Sequence, residues 1–151
     1  MKKIVFVCLG NICRSPMAEF VMKSLTQDYV VESRATSSWE HGNPIHKGTQ
    51  AVLKYHGVDY DTTKTSLQIS QEDFECFDYI LGMDQSNVLD LKHMCPKAQQ
   101  YKIYPFAKES VPDPWYTGDF EETYVRVLSG CQEWLARLEN ENKNESYKKT
   151  L

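Results

Sequence analysis

A cysteine at position 8, an arginine six positions later and a serine after it stand between the apolar run Ile4-Val5-Phe6-Val7 and a helical pattern beginning near Pro16. That set suits attack on a tetrahedral oxyanion. In a short strand-to-helix turn, successive backbone N–H groups point inward as an anion nest, and the helix dipole adds positive potential. Arg14 can grip two phosphate oxygens bidentately. The same field favours the thiolate of Cys8, the form in which cysteine attacks. Gly10 fits a tight loop needing positive φ or close approach of a ligand. Asn11 tolerates a left-handed conformation and can hydrogen-bond the loop to itself. Ser15 fits two roles, a hydroxyl donor to the Cys8 sulfur and a helix N-cap with Pro16 at the first helical position. A buried structural cysteine is the commoner fate of a free thiol, but that reading leaves Arg14 and Ser15 without an explanation.

The elements that must hold this turn follow from hydrophobic pattern. Strand-like apolar runs occur at Lys3–Val7, Val30–Ser33, Asp78–Met83 and Tyr101–Tyr104. Helical patterns lie between them, at Met17–Leu25, Lys47–His56, Gln71–Cys76 with Ser70 and Asp73 as a capping pair, and Ser86 towards Met94. The longest spans Asp119–Asn140, where Tyr124, Val127, Leu128, Cys131, Trp134, Leu135 and Leu138 form one apolar stripe. Alternating strands and helices predict a single α/β domain over 1–151, with a central four-stranded parallel sheet flanked by helices in three layers. The polar tail at 141–151 is expected to fray. A binding site then belongs at the carboxyl ends of the strands, where Cys8 stands.

Composition narrows the partners. A formal net charge of −4 argues against nucleic acid and against a broad attraction to anionic membrane. The first residues read as a strand, not a signal peptide, and no membrane insertion is expected. Five cysteines without compact disulfide spacing fit a reducing cytoplasm, although export without a signal peptide stays open. The remaining cysteines and the four histidines show no metal-ligand spacing, so neither metal nor cofactor is expected.

The run Cys8-Leu-Gly-Asn-Ile-Cys-Arg-Ser-Pro-Met-Ala-Glu19 resembles the C-x5-R-S signature of the low-molecular-weight protein tyrosine phosphatases. The resemblance continues through Asp84-Gln-Ser-Asn87 to Asp113-Pro-Trp-Tyr116. It implies a flavodoxin/Rossmann-like fold of the phosphatase I type and a hydrolase of phosphotyrosine and aryl phosphate monoesters. Cys8 would form a cysteinyl-phosphate. Arg14 and the amides of Leu9, Gly10, Asn11, Ile12 and Cys13 would bind phosphate beside Ser15. Asp113 would act as general acid and then base, and its flanking prolines stiffen the loop that must hold it above a phosphate. A plain Asx turn before proline is the other reading of Asp113. Trp39, Trp115 and Tyr116 would wall a deep slot for a planar ring, with Trp39 open to a packing role instead and Tyr116 to that of a surface hydroxyl.

The expected partners are tyrosine-phosphorylated proteins or peptides, with phosphate and other oxyanions as inhibitors and a monomer or weak dimer as the assembly. Some positions depart from the family. Lys64 falls where a histidine buttresses the loop through Asn11, while Ser33 matches a serine of the same support. Arg34 replaces a small residue. His46 replaces an aspartate and reads as a surface or helix-start residue. Ile12, where phosphoarginine hydrolases of this type carry threonine, favours phosphotyrosine. Cys13, inside the turn, is a candidate disulfide partner for an oxidised Cys8. The alternatives within this fold are a protein arginine phosphatase and an arsenate reductase. A phosphoryl carrier is disfavoured by Asp113, and a binding-only module by the intact Cys8, Arg14 and Asp113.

Overall fold

The computed structural model describes residues 1–150, with side chains through Lys148; Leu151 lies outside the described residues. Its first strand, β1 (Lys3–Cys8), is apolar at every position after Lys3 and buried throughout that stretch. A strand covered on both faces needs such a continuous run and not an alternating one. Successive side chains still point to opposite faces. Ile4 and Phe6 join a core with α1 (Arg14–Leu25), α2 (Lys47–Tyr55) and α6 (Phe120–Thr150). Val5 and Val7 join a second core with α3 (Gln71–Cys76) and α4 (Gln85–Met94). The strands β2 (Val30–Ala35), β3 (Tyr79–Gly82) and β4 (Ile103–Pro105) complete a parallel sheet in the order β2-β1-β3-β4.

This order has a direct consequence for function. The chain leaves β1 towards β2 on one side and returns to β3 on the other, so a crevice opens beyond the carboxyl ends of β1 and β3. Cys8 ends β1 at that crevice. The carboxyl end of β3 lies beside it, through the Val7↔Gly82 pairing.

Several boundaries differ from the sequence reading. Helix α1 begins at Arg14, so Cys13 is the N-cap, without a side-chain cap, and Ser15 sits inside the first turn. Strand β2 runs on to Ala35, which also bridges Gln68. Residues Lys97–Lys102 wind into a 3-10 turn that Pro96 opens, which delays β4 to Ile103. A short helix, α5 (Pro114–Thr117), follows Asp113 where only a loop was expected. Ser70 and Asp73 do form a reciprocal capping box on α3.

Helix α6 passes the expected end near Asn140 and continues to Thr150. The extension is polar, so no apolar period announces it. It is tied to the body by Tyr79 Oη donating to Glu141 at 2.6 Å and Asn142 Nδ2 donating to the Tyr29 hydroxyl at 2.8 Å. Lys2 reaches Glu145 at 3.2 Å. No helix among the described residues is long and apolar enough to cross a membrane.

Candidate active site

Between the end of β1 and the start of α1 the backbone must reverse within five residues, Leu9 to Cys13. It does so by placing Asn11 at φ 55°, the left-handed region that asparagine tolerates better than most residues. Gly10, the expected positive-φ residue, is not in that region. Space is tight there, since a Cβ would stand 3.3 Å from Glu40 Cγ.

The turn wraps the Cys8 sulfur. Asn11 N–H donates to Sγ at 3.2 Å, and Sγ lies 3.0 Å from Ser15 Oγ. Ser15 Oγ also accepts from Asn11 Nδ2 at 2.8 Å, and its own hydrogen has the sulfur at 3.0 Å and the Arg34 carbonyl at 3.4 Å as acceptors. Asn11 N–H and the Ser15 hydroxyl thus both meet the sulfur.

Beneath the turn the side chain of Asn11 fills all four of its hydrogen-bonding sites. Its amide donates to Ser15 Oγ and to Ser33 Oγ at 2.9 Å, and its carbonyl accepts from Leu67 N and Lys64 Nζ, both at 3.1 Å. Lys64 Nζ also donates to Ser33 O at 3.1 Å. Ser33 Oγ passes its hydrogen to Glu19 Oε1 at 2.6 Å, and Lys23 pairs with the other oxygen of Glu19. Lys64 therefore makes the contact with Asn11 that the missing histidine was expected to make. Burial lowers its proton affinity and the nearby Glu19 raises it, with the lowering effect prevailing. Arg34 belongs to the rim of this network, bridging Glu32 and Asp73 and donating to Ser33 O.

Arg14 emerges from the first turn of α1, 2% exposed. Asp84 Oδ2 accepts from Nη1 at 2.7 Å, the Val111 carbonyl accepts from the same nitrogen at 2.9 Å, and Asp113 Oδ2 accepts from Nη2 at 3.4 Å. Burial works against the charge of Arg14, but Cys8, Asp84 and Asp113 more than offset it and hold the guanidinium protonated. Its Nε is buried without a protein partner among the described residues. Asp84 had no role in the sequence reading. Its signal was an aspartate between a strand end and a helix start, where it also caps α4 by accepting from Asn87 N at 2.7 Å.

Asp113 performs two structural tasks at once. Oδ1 caps α5 by accepting from Trp115 N at 3.0 Å, while Oδ2 faces Arg14. The Asx turn and the site position are thus the same geometry. The cap also aims Trp115 and Tyr116 at the turn. One cleft is lined by Cys8, Leu9, Gly10, Asn11, Ile12, Cys13, Arg14, Trp39, Glu40, Asp113, Trp115 and Tyr116. Ser15, fully buried, lies under it. Trp39 is 78% exposed, which rules out a packing role for it. Glu40 was missed by sequence reasoning, which had no signal for it beyond its place next to Trp39. His46 is the N-cap of α2, accepting from Gly48 N at 3.0 Å, and its ring supports the edge of Trp115 at 5.7 Å.

Cys13 is buried in the same turn. Burial first, then the neighbouring Cys8 and Asp113, push its thiol up to about 12. Cys76 is exposed on α3 and Cys95 is buried at the end of α4. Neither lines the cleft.

The model of the low molecular weight phosphotyrosine protein phosphatase family matches residues 3–144. A low molecular weight protein-tyrosine-phosphatase PtpA of Staphylococcus aureus is 45% identical, over 87% of this chain and 90% of that protein. The crystal structure of SP-PTP, a low molecular weight protein tyrosine phosphatase from Streptococcus pyogenes, superposes with a TM-score of 0.87 at 62% identity. That match covers 91% of this chain and 93% of the other. The crystal structure of DARP, a drosophila arginine phosphatase, matches with a TM-score of 0.82 at 36% identity, over 91% of this chain and 98% of that one.

Proposed function

The chain belongs to the low molecular weight phosphotyrosine protein phosphatase family, and from that premise we propose that it removes phosphate from tyrosine-phosphorylated proteins through a covalent intermediate on Cys8. The observation that carries the mechanism is the sulfur held between Asn11 N–H and Ser15 Oγ, in a cleft it shares with Arg14 and Asp113.

In the first step the Cys8 thiolate attacks phosphorus. The bond from phosphorus to the phenolic oxygen breaks, Asp113 gives that oxygen its proton, and tyrosine leaves. Arg14 and the turn amides carry the negative charge of the equatorial oxygens. In the second step water attacks phosphorus as Asp113 takes its proton. The sulfur–phosphorus bond breaks, free phosphate departs, and the hydrogen of Ser15 receives the returning thiolate. Asp84 does not touch substrate in this scheme; it fixes the plane of Arg14. Phosphate and similar oxyanions compete for the same nest.

The walls support an aryl substrate. Trp39, Trp115 and Tyr116 stand above the turn, and a ring entering between them brings only its phosphate to Cys8. Phosphoarginine is the second reading, favoured by the structural likeness to a protein named for that activity. Ile12 discriminates between them, since it lines the cleft where the phosphoarginine hydrolases carry threonine. Turnover of phosphotyrosine, phosphoserine and phosphoarginine peptides by the parent and by Ile12→Thr tests this. Phosphotyrosine leads in the parent, and a parent that prefers phosphoarginine contradicts the assignment.

Cys13 gives the same turn a redox response. Peroxide oxidises Cys8 to the sulfenic acid with release of water. Attack by Cys13 sulfur then forms the Cys8–Cys13 disulfide and releases a second water. The Cys13 thiol, pushed up to about 12, stays protonated at neutral pH and is a poor first target for peroxide. Recovery of Cys13→Ser from peroxide by added thiol, if as complete as in the parent, contradicts this. We place the enzyme in the reducing cytoplasm, where such a switch is reversible.

A further inference from the structure

From the cleft wall a short path of ring contacts leads to a second concavity. Trp115 of the cleft wall meets His46 edge-on at 5.7 Å, and His46 stacks on Phe120 at 5.0 Å. Phe120 is half-buried and forms the floor of a groove between α2 and the start of α6, with Gly48, Ala51, Val52, Tyr55 and Glu121 around it. Tyr55 is 81% exposed. Gly48 is what allows the floor to exist: a Cβ there would stand 2.4 Å from the Phe120 ring. The carboxylate of Glu121 is turned away to His56, whose Nε2 it meets at 2.8 and 2.9 Å. The groove is therefore apolar at its base, open, and joined to the cleft wall by the ring contacts Trp115–His46–Phe120.

We propose that this groove is the docking site for an apolar side chain of the phosphotyrosine-bearing polypeptide, lying three to five residues from the phosphotyrosine. The proposal rests on the phosphotyrosine reading and adds to it a sequence preference. The spacing follows from the ring path. Extended chain advances about 3.3–3.6 Å per residue, so about three residues span the ring-to-ring steps of 5.7 and 5.0 Å from Trp115 to Phe120, the lower end of the proposed three to five. The groove floor lies two ring contacts from the cleft wall, and this nearness favours the substrate over another occupant, because any polypeptide whose phosphotyrosine is in the slot must pass along one of its rims. An aliphatic side chain settling on Phe120 and Tyr55 removes apolar surface from water without burying any charge.

The test uses para-nitrophenyl phosphate, which fills only the cleft, and phosphotyrosine peptides carrying leucine or serine four positions before or after the phosphotyrosine. The parent should prefer one leucine peptide over its serine counterpart by about fivefold or more in kcat/KM. Ala51→Glu and Tyr55→Ser, both at exposed positions, should erase that preference while leaving kcat/KM for para-nitrophenyl phosphate unchanged. Equal rates for leucine and serine peptides in both arms overturn the proposal, as does a preference that survives Ala51→Glu. A dimer that Ala51→Glu converts to monomer in sedimentation, with no peptide preference in the parent, also overturns it and assigns the groove to a second copy of the chain. Failure of the parent to hydrolyse para-nitrophenyl phosphate strikes the phosphatase reading itself.

Discussion

Below the Cys8–Arg14 turn, Asn11, Ser15 and Ser33 are at most 1% exposed, and each has hydrogen-bond partners on more than one element. Above it, Trp39, Trp115 and Tyr116 are mostly exposed, and their side chains carry few contacts. The lower half is a polar network in which every member is satisfied, which fixes one geometry and penalises any loss. The upper half has little to lose. In the proposed mechanism, positioning of the reacting atoms and recognition of the substrate then fall to separate shells. Damage below should appear in kcat and stability, and damage above in KM alone.

Removal of the nucleophile is the sharpest break. Cys8→Ser should lower turnover of para-nitrophenyl phosphate by at least about 10⁴-fold, with folding by circular dichroism retained. Asp113→Ala comes next, at about 10²–10⁴-fold in kcat. The loss should be greatest for phenols that leave poorly and smallest for para-nitrophenol, and an equal loss for both leaving groups would deny Asp113 the role of acid. Competitive inhibition by phosphate should persist in this variant.

The comparison is most informative at Lys64, where the lower shell departs from its family. Lys64→Met leaves Asn11 Oδ1 and the Ser33 carbonyl short of a donor. We expect a loss of about 1–3 kcal/mol in denaturant unfolding and a roughly 10- to 100-fold fall in kcat, as expected for a displaced turn, while Lys64→His restores part of both. Unchanged stability in Lys64→Met would show that the brace is not where the hydrogen bonds suggest. The proton affinity of Lys64 adds a pH signature. Since burial lowers it from the ordinary 10.5, the unfolded chain binds the proton more tightly than the folded one. Stability contributed by this residue therefore rises as pH climbs through the window just below 10.5, and Lys64→Met should lose that slope. Smallest is Trp39→Ala, with a KM for phosphotyrosine raised about three- to tenfold at constant kcat and stability within about 0.5 kcal/mol of the parent.

How far each half was legible follows from the same division. The apolar run of β1 and the Cys8-to-Ser15 spacing announced the strand and the turn, because local pattern determines both. Asp113 was legible from its prolines, though its cap on α5 was not, because a four-residue helix has no period to read. Asp84 and Lys64 escaped a structural role because their partners lie 70 and 53 residues away in sequence. The β1–β3 pairing brings Asp84 to Arg14, and the bridges Pro44↔Thr65 and Ala35↔Gln68 bring the segment of Lys64 to Asn11. The extension of α6 was missed for a related reason: contacts from Lys2, Tyr29 and Tyr79 hold it, and no apolar stripe marks it.

The measurement nearest the central claim is rapid-quench trapping of the parent enzyme during turnover of para-nitrophenyl phosphate, followed by mass mapping of the phosphorylated peptide. The account predicts phosphate on the sulfur of Cys8, formed and discharged at rates that match turnover, and none in Cys8→Ser. Turnover at the parent rate with no phosphate on Cys8, or with phosphate on another side chain, would contradict it.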